Sequence, residues 1–202
     1  MGRYFYSEID IKRPWHQVLA AFWQRYPNPY STHVLTEDVL FREVTHDNHL
    51  VSRRLLTKTN RLPRWAERVF PAHMGRAVYV LEDSIVDPQS RTLTTKTWNL
   101  NHNKLMTVVE QSLYVEDDHQ ESCTKLRREA WISSAVYGLT RPIQEFGLAR
   151  LRSNQAEALK GLEFALAKLE GETQVIASSN HSDSSETHLS KPTPTQNPKE
   201  FV

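Results

Sequence analysis

Cysteine is nearly absent: Cys123 stands alone among 202 residues. One thiol excludes an intramolecular disulfide, and a thiolate metal site needs more than one. In its surroundings it reads as a small packed strand residue. Glycine is scarce, at six residues, and no repeat is visible, which excludes collagen-like and solenoid chains. A net charge of +1 leaves no bulk excess for a nucleic-acid binder, so any anion site must be local. No apolar run approaches the roughly 20 residues that cross a bilayer. Glu8, Asp10, Lys12 and Arg13 break any secretory signal, and the acids among them argue against an obvious transit peptide. The Met1-Gly2 start has Tyr6 where N-myristoylation wants Ser or Thr. These rules alone describe a soluble protein, cytoplasmic or of unknown compartment. Catalytic signatures are missing too: there is no Gly-rich phosphate loop, no G-x-S-x-G elbow and no H-E-x-x-H.

What is present reads as one α+β domain. Residues 2–10 suit a first strand, carrying Tyr4, Phe5, Tyr6 and Ile9. Pro14 opens a helix through about Gln24, with Val18, Leu19, Phe22 and Trp23 at helical spacing, and the Pro27-Asn28-Pro29 turn ends it. Six strand-like runs follow at 33–44, 49–58, 77–86, 92–100, 105–115 and 122–133, and short polar connectors predict an antiparallel meander. In the run 49–58 both faces carry apolar and basic residues, so no dry side can be assigned. The charged triplet Arg127-Arg128-Glu129 reads as a solvated or ion-paired face. The connector from Asn60 to Gly75 has no β pattern but holds Leu62, Pro63, Trp65, Val69 and Phe70. Composition allows either a short plug at one end of the sheet or a lid with an apolar tip.

A long amphipathic helix is expected from Thr140 to Leu169, its stripe built from Leu148, Leu151, Leu159, Leu162, Leu166 and Leu169. Beside it runs a row of polar and then small residues: Gly147, Arg150, Asn154, Ala158, Gly161 and Ala165. Such a row leaves room for a ligand or allows close backbone packing, and the row alone does not choose. The domain is read as residues 1–171. Residues 172–202, rich in Ser, Thr and Pro, read as a disordered tail.

Positive charge is concentrated between Arg53 and Arg68, where six cations face Glu67 alone. Arg25 and His33 flank the Pro-rich turn, and Arg150 and Asn154 project from the long helix. Converging, these groups would hold a phosphate monoester; apart, they are ordinary surface charges.

Several stretches resemble the PRELI/MSF1 family. They are Phe22-Trp23-Gln24-Arg25-Tyr26-Pro27-Asn28-Pro29-Tyr30-Ser31-Thr32-His33, then Arg53 to Trp65 (RRLLTKTNRLPRW), Tyr79 to Pro88 (YVLEDSIVDP), Thr97-Trp98-Asn99-Leu100-Asn101-His102, Arg128-Glu129-Ala130-Trp131 and Glu145-Phe146-Gly147-Leu148-Ala149-Arg150. The match spans about residues 1–170. The resemblance implies a START/PITP-like cup, a seven-stranded antiparallel sheet curved around a long C-terminal helix. It implies a non-enzymatic carrier of phosphatidic acid between the outer and inner mitochondrial membranes, working in the intermembrane space and supporting cardiolipin synthesis. Phosphatidylserine as cargo, or an interaction protein without lipid, stays open. No cofactor is implied beyond the lipid itself. The implied partners are a small twin Cys-x9-Cys helical hairpin and, transiently, the membrane surface, with no nucleic acid. By resemblance the head group falls to Arg25, His33, Lys58, Arg61, Arg150 and Asn154. The lid falls to Leu62, Pro63, Trp65, Val69 and Phe70, and the row residues Ala158, Gly161 and Ala165 are expected to line the tunnel.

Overall fold

The computed structural model describes residues 2–59, 77–117 and 120–182. Strand β1 (Arg3–Ile11) leads to helix α1 (Trp15–Trp23), then to β2 (Val34–Val44), β3 (Leu50–Thr59), β4 (Ala77–Asp87), β5 (Thr92–Asn99), β6 (Thr107–Asp117) and β7 (Gln120–Ser133), and last to helix α2 (Thr140–Ser182). The strands form one antiparallel sheet in the order β1-β7-β6-β5-β4-β3-β2. This is the expected meander, with the first strand folded back beside the last. At the β2–β3 turn Asn48 takes φ 60°, a left-handed conformation that asparagine tolerates. The Pro14 carbonyl accepts from the N–H groups of Gln17 and Val18, so α1 starts one residue after the proline.

The chain divides into two compact units, Met1–Ala167 and Lys168–Val202. In the first, the pleat sorts inward-facing residues into rows running across the sheet. One row is apolar: Leu50, Val86, Leu93, Tyr114, Leu126 and Ile9 lie opposite one another strand by strand. Val18 and Phe22 of α1 are buried at this end, with the Phe22 ring 5.9 Å from that of Tyr114. The next row is polar and, apart from Arg128, small: Ser52, Ser84, Thr95, Ser112, Arg128 and Ser7. The third is charged on one side, Arg54, Glu82, Thr97, Glu110, Ala130 and Phe5. The inner face is therefore graded, from a dry floor beneath α1 toward the end where β3, β5 and β7 finish.

Three expectations change. On β3 the side without an assignment resolves cleanly: Ser52, Arg54 and Leu56 are each 1% exposed and face inward, while Arg53 faces out. The triplet on β7 splits in the same way, because alternation buries Arg128 while Arg127 meets Glu8 at 3.2 Å on the outside. The long helix also does not stop near Leu169 but continues to Ser182. Glycine inside an exposed helix costs about 1 kcal/mol without forcing an end. In the second unit, the Lys168–Glu172 pair and the Thr173 hydroxyl donating to the Leu169 carbonyl span Gly171. The tail beyond Ser182 lies outside the described residues.

Candidate lipid-binding site

Between the sheet and α2 lies a cavity of about 250 Å³, lined from Ile143 to Leu162 along the helix. At 1.5 Å per residue those nineteen steps span about 28 Å. The N-terminal part is walled by Val78, Trp98, Leu105, Met106, Val108 and Phe146. Further along, the wall gathers Arg25, His33, Lys58, Glu82, Glu110, Arg128, Arg150 and Asn154. Among the described residues, four cations thus face two carboxylates.

The charged side chains differ in how they are held. Glu82 Oε2 accepts from Arg25 Nη2 at 2.7 Å, and Glu82 Oε1 accepts from Arg54 Nε at 3.0 Å. Arg54 also pairs with Glu37. Arg25 donates a second bond to the Phe22 carbonyl at 2.8 Å and stacks 3.9 Å over the Phe22 ring. Burial opposes the charge on Glu82, but Arg25 and Arg54 outweigh it and hold the carboxyl below its usual range. Burial likewise opposes the charge on Arg25, and Glu82 together with Tyr26 and Tyr114 outweighs it, raising Arg25 above its ordinary value. Arg54 and Glu37 cancel each other behind the wall.

The second group ties the helix to the sheet. Arg128 Nη1 donates to the Gln155 carbonyl at 3.2 Å, and Gln155 Nε2 donates to Glu110 at 3.0 Å. Arg150 Nη2 donates to the Thr59 carbonyl at 3.1 Å, bringing a helix cation to the end of β3 next to Lys58. His33 lies in the field of both: burial, then Lys58 and Arg150, push its imidazole below the ordinary value, and Glu157 pulls weakly the other way. Desolvation also lowers Arg150.

Of the six expected head-group residues, Arg25, His33, Lys58, Arg150 and Asn154 line one cavity. Arg61 lies outside the described residues, as do Leu62, Pro63, Trp65, Val69 and Phe70. Among the small row, Gly147 and Ala158 line the cavity, while Gly161 and Ala165 do not. A Cβ on Gly161 would come within 2.7 Å of the Asn28 amide, so this glycine serves close packing of the helix on the Pro-rich turn. Ala165 is buried in the core. Sequence reading missed Glu82, Glu110 and Arg128. The available signal was register: once β3 pairs with β4, Arg54 falls opposite Glu82. Among the described residues no three His, Cys, Asp or Glu side chains could share a metal ion, and no helix is long and apolar enough to cross a membrane.

A model of the PRELI-like family matches residues 16–172. The chain belongs to the PRELI-like family. It is 59% identical over 172 residues to human PRELI domain-containing protein 1, mitochondrial, covering 85% of this chain and 78% of that one. It is 34% identical over 163 residues to Protein ups1 homolog of Schizosaccharomyces pombe, covering 79% and 92%. Among solved structures, TTHA0849 from Thermus thermophilus superposes with a TM-score of 0.56 at 15% identity, covering 83% of this chain and 99% of that one. At that identity the likeness shows the fold alone. In this family member the fold places five of the six expected head-group positions at one cavity.

Proposed function

We propose that this PRELI-like protein is a non-enzymatic carrier of phosphatidic acid in the mitochondrion. It takes the lipid from the outer membrane and delivers it to the inner membrane across the intermembrane space, where it feeds cardiolipin synthesis. Its working partner in this reading is a small twin Cys-x9-Cys helical hairpin, and its contact with each membrane is transient. The mitochondrial compartment follows the name of its 59% identical relative.

One observation carries the reading: a single cavity couples a charged region of four cations and two carboxylates to an apolar stretch. The excess of two positive charges suits a phosphate monoester, which carries about −1.5 to −2 near neutral pH. Lys58, Arg150 and Asn154 supply donors for its oxygens. The apolar walls suit acyl chains. The lining residues run about 28 Å along the helix, against about 15 Å for one leaflet of a 30 Å hydrocarbon core. His33 is the titrating group in the cation cluster; with a phosphate beside it, its proton would be stabilised, so loading should take up protons.

Transfer between liposomes of defined head group tests this reading. Phosphatidic acid should move, and phosphatidylcholine should not. Faster transfer of phosphatidylserine than of phosphatidic acid would reassign the cargo, and no transfer of any acidic lipid would defeat the carrier reading.

A further inference from the structure

The two ends of the sheet have different surfaces. At one end lie the β5–β6 connector, residues 100–106, and the β7–α2 connector, residues 134–139, together with the start of α2; Asn101, His102, Leu105 and Ile143 from these segments line the cavity. Residues 100–106 and 134–141 contain no Asp or Glu, but they contain Lys104 and Arg141, both exposed. They also present large apolar side chains to solvent: Leu100 is 46% exposed and Tyr137 fully so. Tyr79, 43% exposed, joins them, because the Leu100 N–H donates to the Tyr79 carbonyl at 2.8 Å. On the outer wall at this end, exposed Trp131 packs 5.7 Å from the Tyr4 ring. The opposite end is different in kind. Its described connectors at 12–14, 45–49 and 88–91 contain no Phe, Tyr or Trp; they carry exposed Lys12, Arg13 and Arg91, but Asp47 and Asp87 stand in or beside them.

A water-exposed collar of Tyr, Trp and Leu with basic neighbours, its nearby acids Glu129 and Glu145 engaged by Tyr4 and Arg3, is poorly matched to water. It is well matched to a bilayer interface, where aromatic rings sit at head-group depth and cations meet anionic lipid. We propose that Tyr79, Leu100, Trp131 and Tyr137, with Lys104 and Arg141, form a docking collar that seats the cavity mouth on an acidic bilayer surface. The proposal deepens the carrier reading and rests on it. It also explains why apolar exposure and basic charge share the end that the cavity reaches. Seated there, a lipid would pass from leaflet to cavity without crossing water.

Vesicle flotation of the full chain tests the collar, with phosphatidylcholine vesicles against vesicles that add phosphatidylglycerol. This anionic lipid separates surface attraction from extraction of phosphatidic acid. The wild type should float with the anionic vesicles and lose binding as salt rises. A combined Tyr79→Ser, Leu100→Ser, Tyr137→Ser variant should bind more than about tenfold more weakly. Lys104→Ala with Arg141→Ala should cost about thirtyfold at low salt and little at high salt. All five positions are exposed, so thermal melts should stay at the wild-type value; Ile85→Ser, at an exposed outer-face site near the other end, should bind as wild type. Wild-type flotation by both collar variants, or equal loss from Ile85→Ser, would overturn the collar. Native mass spectrometry of the same preparations separates the two readings. Collar variants that retain a phospholipid but do not float support the collar. A wild type that floats while holding no phospholipid and transferring none defeats the carrier reading, and with it the purpose assigned to the collar.

Discussion

Two ion pairs occupy successive rungs of the β3–β4 ladder and face opposite sides of the sheet. Arg53 and Asp83 meet on the outside through a fork of 2.6 and 2.8 Å, with side chains 48% and 35% exposed. One residue along, Arg54 and Glu82 meet inside, at 1% and 6% exposure. Chemistry and sequence neighbourhood are nearly the same, so the difference is the surrounding medium. Outside, water competes with the pair and its net worth is small. Inside, each charge has lost its hydration, and the structure compensates with partners: Glu82 takes both Arg25 and Arg54, and Arg54 takes Glu37 as well. A buried network of this kind adds little stability over an apolar core, but losing one member is costly. The outer pair decorates the fold, whereas the inner network sets the charge of the cavity wall.

The largest expected effect comes from breaking the inner network. Glu82→Ala strands two buried guanidiniums and should cost about 3–5 kcal/mol, lowering Tm by roughly 6–20 °C. A melt within a degree of wild type would mean the network is hydrated and equivalent to the outer pair. By the same logic Arg25→Glu would not report on lipid alone, since it would set a second carboxylate against Glu82 and disturb the fold.

Lys58→Glu sharpens the contrast from the functional side. Reversing this charge cancels the positive excess of the cavity and leaves the Arg25 and Arg54 bonds to Glu82 in place, although Lys58 also adds to the positive field on Glu82. Transfer of phosphatidic acid should fall about tenfold or more while Tm stays close to wild type. Transfer at the wild-type rate would remove Lys58 from the head-group site.

Next in size is Gly161→Ala. The added methyl meets the Asn28 side chain, and overpacking there should cost about 1–3 kcal/mol by denaturant titration. The change leaves the cavity walls alone, so transfer per folded molecule should persist; a blocked cavity with unchanged stability would restore Gly161 to the tunnel.

His33 offers a pH-dependent test. Its folded value lies below the ordinary one, so as pH falls below about 6.5 the unfolded chain takes up the proton first. The empty protein should therefore lose stability from about pH 6.5 downward, through the folded value. Phosphate-bearing lipid should flatten that slope, and His33→Gln should remove the His33 part of it. Melts across this range, with and without phosphatidic acid, read the slopes directly, and a slope unchanged in His33→Gln would exclude this histidine. The smallest effect expected is that of Asp83→Ala on the outer pair, about 0.2–1 kcal/mol. A cost matching that of Glu82→Ala would erase the contrast between the two faces.

Much of the fold was legible locally. Alternation, turn residues and the leucine stripe located the strands and both helices to within a few residues, except at the end of α2. There Glu170-Gly171 reads as a stop, yet the backbone runs on to Ser182, since one glycine cannot outweigh the hydrogen bonds on either side of it. The site was legible in part. Arg25, His33, Lys58, Arg150 and Asn154 were singled out by the family resemblance, because spacing alone leaves cations beside a turn and on a helix face indistinguishable from ordinary surface charges. Glu82, Glu110 and Arg128 were not, because a charge on an alternating strand looks the same whichever way it points. Gly161 was misplaced for a similar reason: a small residue on a helix states that something comes close, not whether it is a ligand or the Asn28 amide.

By itself the sequence determined where each element begins, that the strands turn back on one another, and that the long helix has one apolar stripe. These are properties of short-range periodicity and turn chemistry, which neighbouring residues specify without knowledge of the rest of the chain. Only the tertiary structure decided which face of β3 and of β7 is inside, and therefore which arginines lose their water. Pairing of β3 with β4 then set Arg54 against Glu82, and the placement of α2 brought Arg150 to the end of β3. Residues distant in sequence meet only when the sheet forms, and the charge of the cavity is a sum over such meetings.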